Sequence, residues 1–285
     1  MTEHELYVNN NGKLIPSSEY SISSGNRGYS YGDGLFETIR VINGKVTNFE
    51  NHFSRLTEGA KALKMRLPSF MTQDFLLQQM SELIAACKIT EGARIRLSID
   101  RLGGVSYLPD SNEVAYYIEL YPIDQNLFGL NAKGYEIDLY QDIKKNKNIL
   151  SNYKTKNGLL FVMAAISAKE RELDDVLISN MEGLILESSN SNLFVVSNGV
   201  LYTPSLNDGC LAGTMRMQII NLAIQHGIKV YECPILPSNL LVADEVFLTN
   251  AIRGIVWVSG YRTKRYFNTI SRKLVAYLNE KWEEQ

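Results

Sequence analysis

The stretch Glu187-Ser188-Ser189-Asn190-Ser191-Asn192-Leu193-Phe194 sets the reading of the second half of the chain. An acid ends the short apolar run Leu184–Leu186, small polar residues follow, and a second apolar run opens at Leu193–Val196. That is strand, polar turn, strand, with a turn whose Ser and Asn side chains can bond to backbone. Working outward, Asp175–Ser179 and Gly199–Tyr202 read as further short strands. Before them, Gly158–Glu172 carries Leu159, Val162, Met163 and Ile166 at helical spacing, a stripe expected to face inward. After them, Thr214–His226 reads as a helix closed by Gly227, a C-cap glycine. Val230–Cys233 and Glu245–Thr249 read as strands, and Asn268–Glu283 as a terminal helix with Ile270, Leu274, Leu278 and Trp282 on one face. Tyr135–Asp142 opens this half as a strand, followed by a solvated Lys/Asn-rich loop at Lys144–Asn148.

The first half has the same mixture. Asn9-Asn10-Asn11-Gly12 inside Tyr7–Ile15, and Asn43-Gly44 between Leu35–Val41 and Lys45–Thr47, are hairpin turns. Helices are predicted from Phe49, with Phe53, Leu56, Ala60 and Leu63 in phase, and over Gln73–Cys87, with Leu76, Met80, Leu83 and Ile84 in phase. Arg94–Asp100 alternates as a half-buried strand, and Val114–Tyr121 is another. The fold class is therefore α/β (α+β), divided as residues 1–121, a Pro/Gly/Asn/Asp-bearing crossing at 122–131, and 132–285.

Composition narrows the function classes. With 285 residues, 45% hydrophobic and 21% charged, the chain is an ordinary globular protein able to bury a large core. A formal net charge of −2 gives no reason to expect nucleic acid or an anionic membrane as partner. Cys87, Cys210 and Cys233, and His4, His52 and His226, lie far apart without metal-ligand spacing, so no metal is expected and the thiols read as reduced. The polar, acidic start Met1-Thr2-Glu3-His4-Glu5 does not read as a signal peptide. No apolar run reaches membrane-spanning length, and a cytoplasmic location is expected.

Three segments together suit a phosphate-bearing aldehyde cofactor. Asn152-Tyr153-Lys154-Thr155-Lys156-Asn157 offers an amine at the entrance of what reads as a helix, with Gly158–Met163 as an apolar wall to desolvate it. Taken alone, Lys154 reads as a solvated surface lysine, and Lys156 is an equally basic rival. Glu187 offers a carboxylate for a ring nitrogen; taken alone it reads as a turn acid. Gly209-Cys210-Leu211-Ala212-Gly213-Thr214-Met215-Arg216 is a glycine turn opening a helix, a place for phosphate. Arg55, on the helix from Phe49, reads as a surface charge or a phosphate fork.

Taken in order, these segments resemble the class IV, or fold-type IV, aminotransferase family of pyridoxal phosphate enzymes, the D-amino acid aminotransferase-like fold. The likeness runs from Gly28 to about Val258. It is carried by Arg27-Gly28-Tyr29-Ser30-Tyr31-Gly32-Asp33-Gly34-Leu35-Phe36-Glu37-Thr38, by His52-Phe53-Ser54-Arg55-Leu56, by Lys154-x-x-Asn157, by Glu187 through Phe194, and by Asp244-Glu245-Val246-Phe247-Leu248-Thr249-Asn250. The resemblance implies two α/β domains with pyridoxal 5'-phosphate in the cleft between them, and a homodimer. It implies a Schiff base at Lys154, with the C-terminal domain carrying that lysine. It implies Glu187 on the pyridine nitrogen, and phosphate held by Arg55, Gly213, Thr214, Met215, Asn250 and Ala251.

Within that family the motif detail resembles 4-amino-4-deoxychorismate lyase, which forms 4-aminobenzoate and pyruvate for folate. Thr38, Met215 before Arg216, Val41 through Val46, and Asn250-Ala251 carry that likeness. Thr38 is implied as a residue that assists the lyase reaction. Arg101-Leu102-Gly103-Gly104-Val105-Ser106-Tyr107 resembles the lyase's substrate loop, with Val105 where an arginine is expected. Arg101, Arg27 or Arg253 is then the candidate for the substrate carboxylate, with Tyr107 beside it. A branched-chain or D-amino acid aminotransferase is the alternative, and a cofactor-free binding protein a third reading.

Overall fold

A computed structural model describes residues 5–283. The reading of Met1 to His4 lies outside the described residues. The chain divides into two compact units, Met1–Leu127 with Tyr153–Asn157, and Phe128–Asn152 with Gly158–Gln285.

The first unit is a six-stranded sheet with helices. Its elements are β1 (Tyr7–Asn10), β2 (Lys13–Pro16), α1 (Arg27–Tyr31), β3 (Gly34–Ile42), β4 (Lys45–Val46), α2 (Phe49–Ala62), α3 (Gln73–Ala86), β5 (Ala93–Arg101) and β6 (Val114–Pro122). The strand order is β2-β1-β6-β5-β3-β4. Every pairing is antiparallel, as hairpin-linked strands require. Asn11-Gly12 and Asn43-Gly44 make the two tight turns with positive φ at each residue, the geometry that matches strand twist. Because side chains alternate across a strand, one sheet face carries Leu35, Ile39, Ile95, Leu97, Ile99 and Ile118 into a core shared with Leu56, Ala60, Leu76, Met80 and Leu83 of the helices. The opposite face carries Phe36, Thr38, Arg96, Ser98, Tyr117 and Glu119. The sequence reading missed α1, which is too short for a periodic signal; Asn26 caps it by accepting from Tyr29 N–H.

The second unit comprises β7 (Tyr135–Leu139), α4 (Leu159–Glu170), β8 (Asp175–Ser179), β9 (Ile185–Ser188), β10 (Asn192–Ser197), β11 (Val200–Thr203), α5 (Thr214–Gln225), β12 (Val230–Glu232), α6 (Pro237–Val242), β13 (Glu245–Asn250), β14 (Gly254–Tyr261), β15 (Lys264–Arg265) and α7 (Thr269–Glu283). The sheet runs β12-β11-β10-β13-β14-β7-β8-β9, and β9 returns to β10 through the Asn192–Glu187 pair. Six strands thus close on themselves, with Glu187 at the closing seam. The ring is filled by Ile137, Leu177, Ile185, Leu193, Val246, Leu248 and Val258.

Two expectations change. The α4 stripe does not face inward: Leu159, Val162, Met163 and Ile166 are exposed, Leu159 at 72%. Its inward face is instead Ala164 and Ala168, with Leu160 and Phe161 half-buried beside them, against Tyr140, Val176 and Ile178. Lys144–Asn148 is not wholly solvated either, since Lys145 pairs with Asn180 in an isolated bridge beyond β8. Tyr153–Asn157, the segment bearing Lys154, groups with the first unit.

Candidate functional site

In the first unit, Lys154 does not enter a helix; α4 begins five residues later. The segment lies along β3. Phe36 N–H donates to Lys154 C=O at 3.0 Å, Lys156 N–H donates to Gly34 C=O at 2.9 Å, and Leu35 bridges Thr155 antiparallel. The Lys154 ammonium sits 4.7 Å from the Phe36 ring centroid. The apolar wall predicted at Gly158–Met163 is replaced by that ring, because the Leu159, Val162 and Met163 side chains are exposed. Lys156 is committed elsewhere, with Nζ 2.5 Å from Asp100 Oδ1.

Thr38 faces the same side as Phe36 and pairs across the strands with Arg96. The Arg96 guanidinium stacks 3.8 Å from the Phe36 centroid and meets Glu119 at 3.9 Å. Sequence reasoning missed Arg96; its place in the alternation of β5, two residues from Ser98 and opposite Thr38, was the available signal. Burial lowers its pKa, so this cation is held in a poorly solvating place.

Arg55 is not a surface charge. It is buried with Glu37 and His52, two residues the sequence reading quoted but gave no role. Arg55 Nε donates to Glu37 Oε1 at 2.8 Å, its Nη2 reaches Oε2, and His52 Nδ1 lies 2.6 Å from Oε2. Burial alone would raise the Glu37 carboxyl. The Arg55 guanidinium and the His52 contacts outweigh it and bring the pKa down to about 2. His52 is pushed down, chiefly by burial, with Arg55 and Lys154 adding to that and Glu37 opposing it.

These two shifts share a sign. In the unfolded chain Glu37 and His52 take up protons near their ordinary values of 4.5 and 6.5, and the folded chain resists both. Stability from this cluster is complete above about 6.5 and falls as pH drops, first through His52 and then through Glu37 between 4.5 and about 2. Urea midpoints should therefore decline from pH 7 to pH 3, with the unfolding free energy falling by on the order of 2–3 kcal/mol. The decline should shrink in Glu37→Leu/Arg55→Met. An equal acid sensitivity in that variant would rule out this cluster as its source.

Arg27 and Arg101, two of the candidates to replace the arginine expected at Val105, are both committed. Arg27 Nε donates to Asp33 at 2.8 Å, and its Nη groups donate to the carbonyls of Gly104, Ser106 and Tyr107. Arg101 binds Asp33, Asn112 Oδ1 at 2.6 Å and Leu63 C=O at 2.6 Å. Arg27 thus shapes the 103–107 loop, and Arg101 ties Asp33 to Asn112 and Leu63. Val105 is 87% exposed, and Tyr107 is exposed as well.

In the second unit, Glu187 is buried and both of its oxygens are engaged. Lys145 Nζ lies 2.5 Å from Oε1, and Leu211 N–H donates to Oε2 at 3.1 Å. Lys145, read from sequence as part of a solvated loop, is thus drawn inward; its bridge to Asn180 and its bond to Ser151 C=O hold it beside Glu187. The turn after Glu187 is tied down by Asp175, which accepts from Ser189 N–H at 3.2 Å and whose pKa burial raises.

The Leu211–Met215 turn leads into α5. Asn192 Nδ2 donates to Leu211 C=O at 2.9 Å. Gly213 has φ −67°, so conformation does not demand glycine there. Space does: a Cβ would fall 1.8 Å from Asn192 Oδ1. No side chain caps α5, and Thr214 and Met215 are buried in its first turn. Thr249 Oγ1, on the strand beside Asn192, is buried without a hydrogen-bond partner. Asn250 Nδ2 donates to Ser191 Oγ at 2.9 Å, and its Oδ1 accepts from Arg253 N–H at 2.9 Å, closing the turn that holds Ala251. Arg253 reaches the Tyr135 hydroxyl. Cys210 is no nucleophile here, since burial pushes its thiol up to about 12. A glycine cradle, an uncapped helix start and an orphaned hydroxyl on the neighbouring strand fit an anion such as phosphate.

Comparison with known proteins places this geometry. The family model described as amino-transferase class IV matches residues 34–261. A D-alanine aminotransferase of Bacillus licheniformis is 27% identical over 87% of this chain and 86% of its own length. An aminodeoxychorismate lyase of Vibrio harveyi is 26% identical over 83% of this chain and 86% of its own. Among solved structures, the branched-chain aminotransferase of Thermoproteus uzoniensis with norvaline is similar at a TM-score of 0.89 and 26% identity, covering 96% of this chain and 94% of that one.

Proposed function

This chain belongs to the class IV aminotransferase family, and from that premise we propose that it moves an amino group between a small amino acid and a 2-keto acid. The cofactor is pyridoxal 5'-phosphate. When bound, it supplies an aldehyde that condenses with amines and a ring that accepts the electron pair of a deprotonated carbon.

The observation that carries this reading is the setting of Lys154. Its ammonium lies over Phe36, on the sheet face that also holds Thr38 and Arg96. Lys154 holds the aldehyde carbon and moves the proton at the substrate's amine-bearing carbon. Glu187, oriented by Lys145 and Leu211 N–H, keeps the ring nitrogen protonated. Arg55, Gly213, Thr214, the Met215 backbone, Asn250 and Ala251 hold the phosphate. Arg96 attracts a carboxylate of the substrate, and Thr38 lines the same place. The stripe Leu159, Val162, Met163 and Ile166 supports a homodimer. Among the described residues no helix is long and apolar enough to cross a membrane.

The transferase is preferred to the lyase because Arg27 and Arg101, two of the three candidates to stand in for the arginine expected at Val105, are spent on Asp33 and on carbonyls. Thr38 beside Arg96 favours the lyase as second reading. The test is full-length protein supplied with pyridoxal phosphate, 2-oxoglutarate and a panel of branched-chain L-amino acids and D-alanine. Glutamate should form together with the matching keto acid. The proposal is lost if neither forms while 4-amino-4-deoxychorismate yields equal 4-aminobenzoate and pyruvate; that result would establish the lyase.

A further inference from the structure

Lys156 is two residues beyond Lys154, and both ammonium groups lie over one face of the sheet, Lys154 4.7 Å from the Phe36 ring centroid and Lys156 6.0 Å from that of Tyr117. The chain therefore presents two primary amines on one side of the segment beside β3, and only one can do the work proposed for Lys154. The structure separates them by their partners. Lys156 Nζ is 2.5 Å from Asp100 Oδ1, and its side chain is 15% exposed. Asp100 is 1% exposed and stands opposite Gly34 in the β3–β5 register. Its other oxygen accepts from Asn26 Nδ2 at 2.9 Å.

The fold makes room for that carboxylate. A side chain at Gly28 or at Gly34 would approach Asp100 Oδ1 to 2.3 Å. Two glycines from α1 and β3 thus surround one buried acid whose cationic partner comes from the Lys154 segment. Two backbone bonds, from Phe36 N–H and Lys156 N–H, tie that segment to β3, with the Leu35–Thr155 bridge between them. So short a pairing specifies register weakly, and a slip of one residue would turn Lys154 to the opposite face.

Resting on the assignment of Lys154 above, we propose that the Lys156–Asp100 pair positions Lys154 by pinning this short segment in register, and that the same pair keeps Lys156 from competing as a nucleophile. Lys156 and Asp100 are positioning residues, acting through Lys154.

The test uses the full chain and pyridoxal phosphate with borohydride trapping. The lysine amine condenses with the aldehyde carbon, forming a C=N bond and releasing water. Borohydride delivers hydride to that carbon and a solvent proton goes to nitrogen, leaving a secondary amine that peptide mass mapping assigns to one lysine. In the unaltered chain the label should lie on Lys154. Lys156→Met should slow labelling of Lys154 by about 10- to 100-fold, the scale expected when a reacting group is displaced by about 1 Å. Lys156→Arg keeps the charge toward Asp100 and should recover most of the rate. Lys154→Ala should label poorly, whereas Lys154→Ala/Asp100→Asn should transfer the label to Lys156.

Labelling of Lys154 at the unaltered rate in Lys156→Met overturns the positioning role. Labelling of Lys156 in Lys154→Ala as fast as in the double variant overturns the restraint. Loss of folding would change the circular dichroism and slow labelling everywhere, but it would not move the label from one lysine to another. Absence of label on Lys154 in the unaltered chain would sink the assignment of Lys154 itself, a different failure from either of these.

Discussion

Lys154→Ala loses amino-group transfer by at least about a thousandfold, since general acid–base groups alone contribute 10²–10⁴. In the role proposed for it the same amine also holds the cofactor, so two functions would go at once. The chain should still fold, because the hydrogen bonds of this segment to β3 are made by the backbone of Lys154 and Lys156 and do not need the ammonium. Lys156 does not rescue the variant, being held on Asp100. Steady-state keto acid production, with circular dichroism as a check on folding, decides the matter. Turnover within tenfold of the unaltered chain would mean that another group moves the proton.

The second large effect is on stability. Glu37→Ala should cost about 3–5 kcal/mol of unfolding free energy, the range for breaking a buried ion pair on one side. Arg55 would keep its charge in a buried place without the acceptor of its Nε and Nη2 donors, and His52 would lose its partner on Nδ1. Replacing both members with apolar residues of similar size, Glu37→Leu/Arg55→Met, should recover much of the loss, because no buried charge is then stranded. That double variant should bind cofactor poorly even so, which separates the stabilising role of the pair from the proposed phosphate role of Arg55. Equal urea midpoints for Glu37→Ala and the unaltered chain would show that the cluster contributes little.

Much of the secondary structure was legible because its signals are local. Asn43-Gly44 announces a type of turn, and the period of Phe53, Leu56 and Ala60 announces a helix. Lys154, Glu187 and Arg55 were legible only through the family motifs, since each alone reads as an ordinary charged residue. What stayed hidden depends on distance in the chain. Lys145 meets Glu187 across 42 residues, and Arg96 meets Thr38 only through strand pairing. The apolar stripe of α4 misled for a physical reason. Periodicity reports that a helix has two faces; it does not report which one meets the sheet, and here that face is Leu160, Phe161, Ala164 and Ala168.

The assignment of Tyr153–Asn157 to the first unit bears on how the chain comes off the ribosome. Residues 1–127 emerge first, yet the segment that lies along β3 follows only after twenty-five residues of the other unit have been made. The first unit cannot finish folding in the order of its synthesis. A nascent chain stalled before residue 153 should leave β3 without this neighbour, and refolding of the first unit should be tied to the growth of the second. A split of the gene at residue 127 would part the six-stranded sheet from the segment that lies along β3.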